Sequence, residues 1–85
     1  MKLQVTQEDI DNSCRDAYYC PIANALNRQF PGSHASVGCK TFGLGDKDSY
    51  KTTLEMKVFI MEFDYNRPVS PTIFDIGEVF PSENN

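Results

Sequence analysis

Apolar positions in this chain change period twice, and each change marks an element. Leu3 and Val5 alternate with polar residues, which predicts a short first strand over 2–5. Thr6 and Asp9 then form an approximate capping box, with Asp9 near the positive helix end. They open a short helix from 7 to about 13 that buries Ile10. Residues 14–19 read as a loop. Pro21 fits the first position of the next helix, where its missing N–H and fixed φ cost nothing. Ile22, Leu26 and Phe30 share one face beside Ala23 and Ala25, and Pro31-Gly32 stops the element, so 21–30 is the expected core helix.

Beyond Gly32 the period becomes two. Val37, Cys39 and Thr41 fall on one side and Ser36, Lys40 and Phe42 on the other, which predicts a strand from about 35 to 42. The composition of 43–48 predicts a turn or flexible loop. Residues 53–64 fit two patterns. Alternation puts Leu54, Met56, Val58 and Ile60 on one strand face, whereas helical spacing gathers Met56, Phe59, Ile60 and Phe63. A capping box from Thr52 to Glu55, and the helix preference of Met, Leu, Glu and Lys, decide for helix. Asn66-Arg67-Pro68 ends it, and Pro71 keeps the chain extended. The last strand is expected over 72–79, with apolar residues on both faces as in a central strand. Together these elements predict an α+β fold: a small sheet of about three to four strands, two longer helices and one short helix. Residues 1–80 read as one domain and 81–85 as a flexible polar tail.

Charge narrows the functional classes. Eight Lys and Arg against twelve Asp and Glu give a net charge of −4, which argues against a partner held by its phosphate backbone. The acidic residues are scattered, so they do not imitate a row of phosphates. No apolar run reaches the length of a membrane span, and the N-terminal segment turns acidic too early for a secretory leader. Three cysteines leave one over from any disulfide framework, which suits buried thiols in a reducing cytoplasm. With 85 residues the core is small, and a homo-oligomer would add burial.

Three motifs occur in order: Val5, Thr6, Glu8 and Ile10; Cys20, Pro21, Ile22 and Ala23; and Phe63, Asp64, Val69, Pro71 and Phe74. As a set they resemble a group of small bacteriophage proteins of unknown function, with T-x-E-x-I, Cys-Pro-hydrophobic-Ala and F-D-x-x-x-x-V-x-P motifs. Members of that group often carry His where this chain has Asp9. The resemblance implies a small α+β domain in the cytoplasm of a phage-infected bacterium, and it implies no activity.

Candidate chemistry is sparse. Cys14, Cys20, His34 and Cys39 make a zinc set by count, but Cys14 and Cys20 are spaced too widely for the usual ligand pair, and buried thiols are the ordinary explanation. A Cys14–Cys20 disulfide or redox pair is a second possibility. Cys20 is its more reactive member if the helix dipole favours the thiolate, and otherwise only caps the helix. A Cys–His–Asp site would need His34, which sits in a turn, and no nucleophile elbow, phosphate loop or dinucleotide fingerprint accompanies it. No cofactor and no enzyme activity are therefore expected. Arg15, Tyr18, Tyr19, Lys40, Tyr65 and Arg67 combine rings with positive charge, suited to a small anionic ligand or a protein interface. The expected function is that of a non-catalytic phage accessory protein that binds and neutralises a host protein or a nucleotide-like immune signal. A zinc- or thiol-stabilised structural module of a larger complex is the alternative. A pocket of Arg and Tyr would favour ligand capture, and an apolar patch rimmed by acids a protein partner.

Overall fold

A computed structural model of the chain describes residues 2–38, 40–44 and 49–76, together with the backbone of 79–80. The element order is β1 (Lys2–Val5), α1 (Gln7–Asp11), α2 (Pro21–Gln29), β2 (Ala35–Val37), β3 (Thr41–Leu44), β4 (Ser49–Lys51), α3 (Leu54–Asp64), β5 (Thr72–Asp75) and β6 (Val79–Phe80). The fold is α+β, with two antiparallel sheets: β1 pairs β5, and the other runs β2-β3-β4-β6.

The opening strand and the second helix form where the sequence predicts them, and the first helix starts where predicted. Thr6 Oγ1 accepts from the Asp9 N–H at 3.2 Å, and Asp9 Oδ2 accepts from the Thr6 N–H at 2.9 Å, closing the capping box. α1 is shorter than expected, five residues, and Asp9 rather than Ile10 is its buried residue. Ile10 is half-buried against the core. In α2, Ile22, Ala23, Ala25 and Leu26 are enclosed, whereas Phe30 is the C-cap and packs half-buried. Gly32 follows at φ +82°, a left-handed conformation that favours glycine after a helix. Asn27 then fixes the turn into β2, its Oδ1 accepting from the Ala35 N–H at 2.8 Å and from Ser33 Oγ at 3.1 Å.

The single strand expected over 35–42 is instead a hairpin of β2 and β3. Gly38 N–H donates to the Thr41 carbonyl at 2.9 Å, which folds the chain back so that Val37 pairs with Phe42. Continuous alternation concealed the turn. Gly43 and Leu44, expected in a loop, extend β3, and β4 follows, paired Phe42 to Tyr50. Those two rings stack with centroids 5.3 Å apart. Residues 45–48 lie outside the described set, as do Cys39 and the predicted tail 81–85.

Helix is the correct state for 54–64, but its cap is Thr53 and not Thr52. Thr53 Oγ1 accepts from the Met56 N–H at 3.2 Å. Thr52 is buried and donates its hydroxyl to the Gly38 carbonyl at 3.1 Å, while its N–H donates to the Lys40 carbonyl at 3.0 Å. This residue therefore binds the hairpin turn to the start of α3. Met56 and Phe59 face the core, and Phe59 meets Phe74 of β5 edge to face at 5.5 Å. The strand expected over 72–79 is β5 only as far as Asp75, Val79 belonging to β6 of the other sheet, and it is not central: among the described residues β5 pairs with β1 alone. Phe74 and Ile76 are buried as their shared face requires.

Candidate binding groove beside the third helix

The predicted binding residues do not form one site. Arg15 is exposed, and its Nη1 donates to the Asp64 carbonyl at 3.0 Å, satisfying the C-terminal end of α3. Tyr65, the C-cap of α3, is exposed nearby. Arg15, Asp16, Cys20 and Asp64 line a cleft of about 190 Å³, and Lys57, Met61, Asp64 and Tyr65 line an adjoining one of about 460 Å³. Val37, Ile60 and Asp64 are common to both. Tyr18 and Tyr19 are exposed but line neither cleft, and Lys40 is exposed in the hairpin turn. Arg67 is exposed beyond α3, with Nη1 3.9 Å from Glu62 Oε2. The double cleft thus sets Asp16 and Asp64 against Arg15 and Lys57, and one Arg15 donor is spent on the Asp64 carbonyl. Such a lining has no excess of positive charge for an anion.

The cysteines have separate environments. Cys14 is exposed and Cys20 buried, both with free thiols. Cys20 Sγ caps α2, accepting from the Ala23 N–H at 3.4 Å. Burial pushes its thiol pKa up despite that contact and the nearby Ile22 N–H, which favours the capping reading of Cys20 over thiolate activation by the helix. The Cys14–Cys20 bridge is absent. His34 is exposed in the turn, at φ +52°. Among the described residues no three His, Cys, Asp or Glu side chains are grouped to hold a metal, and Cys39 lies outside them.

A different surface stands out. Leu54, Val58, Phe59, Val69, Pro71 and Phe74 line a groove of about 600 Å³ between α3 and the segment leading into β5. Among the described residues its ionisable lining residues are Glu55 and Glu62. Leu54 is 73% exposed and Val58 43%, although both are large aliphatic residues on a helix. Met61 and Tyr65 continue their row at helical spacing and are exposed too. The sequence carried this signal. Leu54, Val58 and Met61 lie outside the Met56, Phe59, Phe63 stripe, so α3 is apolar over more of its circumference than one packed face needs.

Electrostatically, the most organised residue is Asp9, on the opposite side of β1 from β5. Arg28 Nε donates to Asp9 Oδ1 at 3.2 Å and Nη2 to Oδ2 at 3.0 Å. Burial works to raise the Asp9 carboxyl, but the Arg28 guanidinium and the Thr6 donors together hold it below the ordinary carboxylate value. Both carboxylate oxygens accept these structural hydrogen bonds, so Asp9 acts as a fastener.

Comparison with protein-family models, curated proteins and solved structures finds no match. Among the described residues no helix is long and apolar enough to cross a membrane.

Proposed function

We propose that this chain is a non-catalytic binding protein that engages another protein through the groove between α3 and β5. The supporting observation is the groove lining: exposed Leu54 and Val58 above an apolar floor, with Glu55 and Glu62 as its charges. Contiguous apolar surface with a polar rim is the ordinary mark of a protein-docking site. The resemblance to small phage proteins makes a bacterial host protein the expected partner, and neutralisation of that protein the expected outcome. A nucleotide-like ligand is the weaker choice, because the Arg15–Tyr65 clefts balance Arg15 and Lys57 against Asp16 and Asp64 and so carry no excess of positive charge.

The test compares two double variants in affinity capture from host extract. Leu54→Glu/Val58→Glu should lose a stoichiometric partner that the unaltered chain retains, while Tyr18→Ala/Tyr19→Ala should keep it. The opposite pattern would move the site to the tyrosine loop. In parallel, cyclic nucleotides and ADP-ribose derivatives should leave the unfolding temperature unchanged; a saturable rise with any of them would favour ligand capture instead.

A further inference from the structure

The two outer edges of the β1–β5 sheet are treated differently. On the β1 side, Gln29 of α2 imitates a neighbouring strand: its Oε1 accepts from the Gln4 N–H at 3.1 Å and its Nε2 donates to the Lys2 carbonyl at 2.9 Å. Arg28 Nη2 adds a bond to the Gln4 carbonyl at 2.7 Å. The N–H and C=O of Gln4 therefore point away from β5. Gln4 stands opposite Ile73 in the antiparallel register. Facing residues in such a ladder either bond each other or both point outward. Ile73 consequently aims its N–H and C=O at the far edge of β5, where no hydrogen-bond partner meets them among the described residues. Its side chain is 60% exposed.

That edge adjoins the groove. Glu55, Thr72 and Phe74 line both the groove and a smaller hollow of about 270 Å³ that also includes Ile73 and Asp75. Apolar floor, the outward N–H and C=O of Ile73 and the carboxylate rim thus lie side by side. We infer that the partner contributes an extended segment of alternating apolar and basic residues, which adds to β5 as a third strand. Resting on the protein-binding reading of the groove, this inference names the partner's conformation and charge. Backbone bonds to Ile73 would fix the register, apolar side chains would enter between Leu54, Val58 and Pro71, and Lys or Arg would meet Glu55 first, since Glu62 already has Arg67 Nη1 at 3.9 Å. Pro71 has no N–H to offer, so the added strand is short and centred on Ile73.

The probes are blocked decapeptides added to the isotope-labelled full chain: alternating lysine and valine, alternating glutamate and valine, and the lysine–valine peptide with every backbone nitrogen methylated. Saturating lysine–valine peptide should slow Ile73 amide exchange by about tenfold and shift the Leu54 and Val58 methyl resonances. Removing the peptide's donors should weaken binding by at least about threefold, and reversing its charge should do the same. Ile73→Pro removes the outward N–H at a position where an edge strand tolerates proline, and should weaken the lysine–valine peptide similarly. If the peptides shift Leu54 and Val58 while Ile73 exchange is unchanged and the methylated form binds equally, strand addition is overturned and the groove reading stands. Equal binding of the acidic peptide overturns the charge assignment. No perturbation at any of the three residues up to millimolar peptide overturns strand addition outright, whereas the groove itself is judged by the capture of Leu54→Glu/Val58→Glu.

Discussion

Arg28 and Asp9 meet through two parallel hydrogen bonds, 3.2 and 3.0 Å long, that join the second helix to the cap of the first. The carboxylate is 5% exposed, whereas much of the guanidinium side chain remains in water. The pair therefore acts less as a surface ion pair than as a set of charge-assisted bonds to a buried acceptor. Asn24 strengthens the same joint, its Nδ2 donating to the Asp9 carbonyl at 3.0 Å.

Asp9→Asn should destabilise the fold by about 2 kcal/mol at neutral pH, since it leaves Arg28 and the Thr6 N–H imperfectly matched. The folded-state pKa lies below the unfolded one. The charged group's contribution is therefore complete above the unfolded value of about 4 and disappears as pH falls through the lower folded value. Denaturant unfolding at several pH values checks this. The gap between the two proteins should shrink only in the acid range; a constant gap would show that the charge of Asp9 is not what stabilises the joint.

Two adjacent threonines should behave differently when altered. Thr53→Ala removes the α3 cap and should cost about 1 kcal/mol, most of which Thr53→Ser or Thr53→Asp restores. Thr52→Val leaves the cap but removes the buried hydroxyl that bonds the Gly38 carbonyl, also at a cost of about 1 kcal/mol, and serine should rescue it. Restoration of Thr52→Val by a better cap at 53 would contradict the assignment.

The thiols provide an independent check on the buried helix start. In a Cys39→Ser background, Cys14 should react promptly with a thiol reagent and Cys20 only after denaturant is added, because Cys20 is enclosed and its thiol pKa is raised. Prompt reaction of both would mean that the start of α2 opens readily.

How much of this was legible follows from how local each signal is. The Thr6–Asp9 box, Pro21 and the Ile22–Leu26 face are settled within a few residues, and the α+β class follows from them. The Gly38 turn was hidden because a tight hairpin preserves the alternation on either side of it. Thr52 and Thr53 are equivalent as caps until the hairpin claims the hydroxyl of the first. For the site, the exposed tyrosines are legible as residue types, but the bond from Arg15 to the Asp64 carbonyl, 49 residues away, is not. The groove needed the approach of Val69 and Pro71 to α3, which no periodicity reports.

Placing a photoreactive amino acid at Val58, with a second version at solvent-facing Glu8 as control, tests the central claim most directly. Irradiation in host extract should cross-link one protein from position 58, through an apolar and basic stretch of its sequence, and Leu54→Glu should abolish the adduct. Equal labelling from both positions, or an adduct indifferent to Leu54→Glu, would contradict the groove as the binding site.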